Sequence, residues 1–414
     1  MYWFLHFQNK IVIITQFFPN FIRKFASQGY QELTSIKMIK RIFLVFVFAL
    51  ALFAGVTAQY GNRIYITDTS ISPADSNQLF LRFRNATFIN NKEFFNPWQP
   101  GYTLIGFWAR PLLEYHPGPD TRLTAGVHLL KYSGLERFES RIPVFSFHHR
   151  FTPGFEMVFG SLYGALNHGL IEPLFSFERV FTNRNESGIQ FLLNNPRFTA
   201  DIWLDWERFI FSGDPFQEEF TSGLSSMIFP GSREDRLRIG LPLQLLATHM
   251  GGQIDASDER LQTLVNFATG IHADFHTDHA FFMMVGFRGY LTGFRDLSSY
   301  IRHHYDNGWG IYPNLYFNTR WFEGGVGYWR GNRFVAPRGE PVFQSVSQVD
   351  ADLAVDRREL ITSKIIYNRN LLEGIDMGIR FEVYYDPVRG DLDHTGGLHI
   401  IMDKKFFLTG LRKR

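Results

Sequence analysis

Runs of about ten residues with period-two polarity recur along this chain, and the connections between them are alternately short and long. The clearest run is 374–385. Ile375, Met377, Ile379, Phe381, Val383 and Tyr385 fall on one face, with Asp376, Gly378, Arg380, Glu382 and Tyr384 on the other. Successive strand residues point to opposite faces, so this is an amphipathic strand with one side in an apolar medium. Leu237, Ile239, Leu241, Leu243 and Leu245 repeat the pattern, as do Phe198, Ala200, Ile202, Leu204 and Trp206. Phe281, Met283, Val285 and Phe287 give a weaker version, because Phe282 and Met284 are apolar too.

The short connections fall at 116–120, 152–154, 194–197, 230–235, 276–279, 319–320 and 368–373, most of them carrying the Pro, Gly, Asn or Asp of tight turns. Long ones fall at 90–101, 132–140, 164–186, 211–218, 250–261, 292–309, 331–356 and 386–396. Seven short and eight long connections in strict alternation join sixteen strands, with both chain ends on the short-turn side. Short turns on one side and long loops on the other characterise membrane-spanning barrels, and a soluble sandwich has no reason to sort its loops so. The expected fold is all-β: a transmembrane antiparallel up-and-down barrel of about sixteen strands over residues 78–414. A further strand pair from 173–180 and part of 340–350 makes eighteen.

The start of the chain predicts export. Lys40 and Arg41 precede an unbroken apolar run over 42–55, and Val56-Thr57-Ala58 offers small residues to a signal peptidase. That run is short for a spanning helix, which needs about 17–25 residues. Residues 38–58 therefore read as a signal peptide cleaved after Ala58, 59–77 as a periplasmic lead-in, and 1–37 as an upstream extension preceding the true start.

Charge and composition narrow the class. The 1–58 region holds six Lys/Arg and one Glu; removing these from 42 basic and 40 acidic residues leaves 36 and 39, a net charge of −3. Such a chain lacks the basic stripe that nucleic acid demands. There is no cysteine, which excludes disulfides, thiolate metal sites and a lipidated N-terminal Cys. With 45 Phe, 17 Tyr, 8 Trp and 36 Gly, the composition suits an aromatic-rich exported β protein.

Over 78–408 the chain resembles the porins of Gram-negative outer membranes, in architecture and without a subfamily motif. The resemblance implies an outer-membrane location, contact with lipid and lipopolysaccharide, folding by the barrel-assembly machinery, and a homo-oligomer as one open state. It also implies that the third long loop, 164–186, folds inward and narrows the pore, with Glu172, Glu178, Arg179 and Arg184 at the constriction. The C-terminus departs from the family. Leu398, Ile400, Met402, Phe406 and Leu408 alternate as a closing strand should, but the chain runs on past the aromatic residue on which such barrels tend to end.

A cation on the lipid face costs roughly 2–4 kcal/mol at mid-bilayer, so the uncharged faces meet lipid and the charged ones line the interior. Expected pore-lining residues are Arg122, His128, Asp201, Asp205, Glu207, Arg238, His272, Asp274, Lys364, Asp376, Arg380 and Glu382, with Tyr312, Tyr316 and Tyr384. Both charge signs occur, which suits a transverse field screening small polar solutes; the competing arrangement is a closed, salt-bridged interior. Trp98, Trp108, Trp309, Trp321 and Trp329 lie near strand ends, where interfacial girdles occur.

Two clusters carry catalytic residue types. His272, Asp274, His276 and Asp278 step by two along one run, although 276–279 is itself a turn. Ser146 and His148 share a strand face, and Asn167-His168 lies in the third loop; Ser, His and Asn on a barrel wall suit an outer-membrane lipase. Both patterns arise easily by chance. The sequence therefore predicts a passive channel for small hydrophilic solutes, not an enzyme, with no catalytic residues, metal or cofactor. The alternatives are a barrel lipase or protease, and a closed structural or surface-polysaccharide assembly barrel.

Overall fold

A computed structural model describes residues 62–411, apart from 183–184, 280 and 301–303. The signal peptide and the upstream extension lie outside the described residues. Seventeen strands form one antiparallel sheet. They are β1 (Gln78–Glu93), β2 (Tyr102–Gly118), β3 (Thr121–Tyr132), β4 (Ser140–Thr152), β5 (Phe155–Ser161), β6 (Ser187–Asn195), β7 (Phe198–Arg208), β8 (Glu219–Ile228) and β9 (Leu237–Met250). There follow β10 (Gln262–His276), β11 (Phe282–Asp296), β12 (Asn307–Ile311), β13 (Asn314–Thr319), β14 (Phe322–Asn332), β15 (Arg357–Leu372), β16 (Ile375–Tyr385) and β17 (Leu392–Gly410).

The sheet closes where β1 pairs with β17, from Gln78 opposite Gly410 to Glu93 opposite His394. β12 and β13 share one place in the wall, because both pair with β11 and with β14. Pro313 separates them: it has no N–H to give the ladder, while Tyr312 beside it still exchanges backbone hydrogen bonds of 2.9 and 3.2 Å with Tyr290. The barrel thus has sixteen strand places. The eighteen-strand alternative does not hold, because 173–180 forms no strand and 340–350 contributes only a short 3-10 turn and an isolated bridge at Val346.

The period-two pattern sorts the wall as its chemistry requires. Ile379 and Phe381 are 46% and 42% exposed, while Arg380 and Glu382 between and beside them are buried. Such an apolar outer band places the protein in the outer membrane. The closing strand keeps this alternation through Leu398 and His399, and a register shift opposite Leu79 then breaks it near Phe407.

The lumen is not empty. The loops over 162–186 and 333–356 both turn into it, and they grip each other: Ser176 N–H donates to the Arg338 carbonyl at 2.8 Å and Glu340 N–H to the Glu172 carbonyl at 2.9 Å. Leu174, Phe334, Val335, Ala336, Val342 and Phe343 pack there against Leu264, Phe294, Trp329 and Leu360 of the wall. Phe177 and Phe181 pack similarly on Phe88, Trp108 and Leu130. Each such side chain gains about 1.5–3 kcal/mol by leaving water, which holds both loops inward. The segment after Asn62 enters as well. Tyr65 packs edge-on against Phe177, and Thr67 exchanges two hydrogen bonds with Asn167, at 3.0 and 2.9 Å.

The tryptophan expectation needs correction. Trp309 and Trp321 are exposed near strand ends, but Trp98, Trp108 and Trp329 are buried. The inserted loops cover Trp108 and Trp329, and Val180 and Phe343 carbonyls accept their indole N–H groups.

Candidate functional site

Below the inserted loops lies a chamber of about 600 Å³, reaching the short-turn end of the barrel at Gly154 and Asn194. The wall supplies Glu156, Gln190, Asp201, Ser225, Ser226, Arg238, Gln244, His272, Asp274, Arg288 and Tyr290, and the loop supplies Tyr163, Asn167 and His168. Strand alternation turns these wall side chains inward, except that of Ser226, which lies opposite the lipid-facing Leu243.

On one side, His168 is fully enclosed. Its two ring nitrogens lie 2.8 Å from Asp201 and 2.8 Å from Glu186. Burial alone pushes the imidazole down, but the two carboxylates outweigh it and raise it to about 10. Burial likewise pushes Glu186 up, and His168 more than reverses it, holding that carboxyl well below its usual range. The group is thus a protonated clamp that ties the loop to β7, and it has no free nitrogen for base chemistry.

Across the chamber, Asp274 accepts from Arg238 at 2.7 Å and from the Tyr316 hydroxyl at 2.7 Å, and His272 Nε2 meets the Tyr290 hydroxyl at 2.6 Å. The four-residue His272–Asp278 pattern does not stay together. Only His272 and Asp274 line the chamber; β10 ends at His276, and Asp278 is exposed beside Arg236 at 3.0 Å.

Ser146 and His148 both face inward and are buried. The fold brings β5 beside them, and His148 Nε2 meets Glu156 at 2.8 Å. His148 Nδ1 faces Arg122 at 3.1 Å and Tyr163 at 3.2 Å, while Ser146 Oγ has no hydrogen-bond partner among the described residues. The imidazole therefore has an orienting carboxylate and a neighbouring hydroxyl on the same strand face. Glu156 and Tyr163 also border the chamber.

The other expected pore-lining residues are tied into pairs. His128 accepts from Arg110 at 2.9 Å; Asp205 accepts Ser187 N–H at 2.8 Å; Glu207 meets Arg338 at 2.9 Å. Lys364 and Arg380 both bind Glu172 and Glu382, and Asp376 accepts from Asn370 at 3.1 Å near the short turn. Of the expected constriction residues, Glu178 takes Lys92 at 2.7 Å and Arg179 lies 4.0 Å from Glu207. Arg184 lies outside the described residues. Sequence reading missed Glu156, Glu186 and Glu340. The inward turn of two loops brings Glu186 and Glu340 to their partners, and the pairing of β4 with β5 sets Glu156 beside His148, eight residues back in the chain.

The model of the lipid A 3'-O-deacylase-type family matches residues 71–411. The chain belongs to this family. The expectation of a non-enzymatic barrel is therefore overturned: the family is one of deacylases, and a polarity pattern that builds a channel wall builds an enzyme's wall equally well. A comparison with curated proteins returns no match. Among solved structures, the deacylase-family chain is similar to the outer-membrane protein OmpT of Vibrio cholerae, at 6% identity and a TM-score of 0.45, covering 79% of this chain and 100% of that one. It is also similar to OprD of Pseudomonas aeruginosa, at 8% identity and a TM-score of 0.43, covering 82% and 97%. A BenF-like porin of Pseudomonas fluorescens Pf-5 gives 10%, 0.43, 80% and 98%.

Proposed function

We propose that this outer-membrane barrel hydrolyses an acyl ester of a lipid A-type glycolipid, with Ser146, His148 and Glu156 as its reacting and orienting groups. The family match over 71–411 carries the reading. The wall around His148 supplies a locus for it: a carboxylate 2.8 Å from one ring nitrogen and an unpartnered hydroxyl two residues away on the same face.

In this mechanism Ser146 Oγ attacks the ester carbonyl and its proton passes to His148. The C–O bond to the sugar oxygen or hydroxyacyl oxygen then breaks, and that oxygen takes the proton from His148. Water hydrolyses the acyl-serine by the same proton route in reverse, releasing a fatty acid. Glu156 steadies the imidazolium. The ring must first exchange its Arg122 contact for Ser146, a reach of one two-residue strand step of roughly 6.6 Å. Arg122, released from His148, is then a donor for the oxyanion.

Passive diffusion is supported less well, because the two inward loops fill the long-loop half of the lumen with buried apolar side chains. The test is mass spectrometry of lipid A from outer membranes that carry the folded barrel. Loss of one acyl chain is expected, with Ser146→Ala and His148→Gln slower by roughly 10²–10⁴-fold. Unmodified lipid A beside a heat-modifiable, folded wild-type barrel would overturn the reading, and undiminished activity in both variants would place the chemistry elsewhere.

A further inference from the structure

Arg84 of β1 and Arg110 of β2 are direct cross-strand partners, and both point into the barrel at Trp108, with guanidinium carbons 5.9 and 5.0 Å from its ring centre. Like charges placed directly opposite each other repel, and burial strengthens the repulsion. The surrounding carboxylates do not balance them. Asp403 is shared between Arg82 at 2.6 Å and Arg84 at 3.0 Å, and Glu114 serves Arg82. Among the described residues Arg110 donates only to a neutral acceptor, His128 Nδ1, at 2.9 Å.

A third guanidinium faces the same space. Among the described residues, Arg179 of the inward loop has its nearest carboxylate 4.0 Å away and a buried Nε without a hydrogen-bond partner. Together with Arg84, Arg110 and His128 it lines a cavity of about 60 Å³. That is room for several waters, or for one tetrahedral oxyanion. The one carboxylate in the lining, Glu186, is committed to His168 and to the Ala165 N–H at 2.8 Å. His128, 1% exposed, has a buried Nε2 without a hydrogen-bond partner among the described residues.

We propose that this cavity binds an oxyanion of phosphate size, held by Arg84, Arg110 and Arg179. Guanidinium groups pair with phosphate through parallel charge-assisted hydrogen bonds, and a dianion offsets the repulsion between two facing arginines. The site is separate from the Ser146–His148 wall, and the inference does not depend on hydrolysis. The phosphate is either free or carried on a lipid headgroup, and the experiment distinguishes the two.

The measurement is equilibrium dialysis of radiolabelled inorganic phosphate against the full barrel refolded in detergent, at constant ionic strength in chloride. Saturable binding of one phosphate per chain is expected. Arg110→Gln should bind at least about tenfold more weakly, from the loss of charge-assisted hydrogen bonds. Arg333→Gln, which alters an exposed pair with Asp356, should bind as the wild type does. Arg110→Lys, which keeps the charge without the fork, should fall between, and it serves if the Gln variant does not fold. Competition by phosphorylated lipid A, but not by its dephosphorylated form, identifies a headgroup; competition by neither identifies the free ion. No saturable phosphate binding to the wild type, or equal binding by the wild type and both Arg110 variants, overturns the proposal.

Discussion

His168 lies flat against Trp203, with ring centres 3.6 Å apart and planes within 9° of parallel, while its nitrogens bridge Glu186 and Asp201. A protonated imidazole on an indole face adds cation–π attraction to the two ion pairs. One residue thus joins the start of the inward loop to its far end and to β7.

This clamp gives the loop a pH dependence. The His168 value rises on folding from near 6.5 to about 10, so its stabilisation is complete below about pH 6.5 and is lost as the pH climbs through 10. The unfolding midpoint of the detergent-refolded wild type should therefore fall between pH 7 and 10.5. His168→Leu leaves two buried carboxylates without a counter-charge, at a cost of about 3–5 kcal/mol. Its midpoint should already be low at pH 7 and fall less steeply. Parallel curves for the two proteins would show that His168 is not the titrating group.

Neighbouring residues on β16 should fail differently. Ile379→Arg puts a cation on the lipid face at roughly 2–4 kcal/mol and should impair assembly, read as loss of the heat-modifiable band. Arg380→Ile leaves the lipid face untouched but strips Glu172 and Glu382 of a shared partner. The barrel should assemble, with faster proteolysis of the 162–186 loop. Equal assembly yields with an equally resistant loop would contradict the face assignment.

The two inward loops meet at a point too tight for a side chain. A Cβ on Gly339 would lie 2.0 Å from the Pro173 carbonyl oxygen, so backbone must move. Gly339→Val should wedge the loops apart and raise the conductance of the barrel in planar bilayers above that of the wild type. Unchanged conductance would mean that the seal does not depend on this contact.

The wall was legible in the sequence because lipid imposes a simple rule. Ile375 to Tyr385 could alternate in only one sense, and the loop lengths counted the strands. The interior obeys no such rule. Leu264, Ala268, Phe294 and Leu360 face inward although apolar, because what they meet is Leu174, Phe334 and Phe343 rather than water. Trp329 looked like an interfacial residue for the same reason. The 164–186 loop betrayed itself by its excess of Leu and Phe, but Glu156 beside His148 depends on the β4–β5 register, which no single run displays. Activity was the least legible feature. Ser146 and His148 carried residue types of a hydrolase at a spacing common by chance, and it was the family match over the whole barrel, not any motif, that pointed to an enzyme.

Deleting 167–181 should separate the barrel from its contents. No residue of that segment belongs to the strand ladder, so closure of β1 on β17 should survive and the protein should still show heat-modifiable mobility. The deletion removes Leu174, Phe175, Phe177 and Phe181, all buried, and so takes away much of the apolar filling beneath the second loop. It also removes Glu172 and Glu178, which Lys364, Arg380 and Lys92 now neutralise, together with two cations, Arg179 and the protonated His168, so the net charge of the lumen is unchanged. Positive charge is uncovered along β1, β15 and β16, and negative charge at Asp201 and Glu186, which lose His168. Single-channel recordings should show a higher conductance than the wild type with little preference between anions and cations, and what selectivity there is should weaken at high salt as screening shortens the reach of those charges. A conductance no larger than that of the wild type would show that the 333–356 loop seals the lumen unaided, and a strong preference for either ion sign would mean that one of the two sets of uncovered charges dominates the pore.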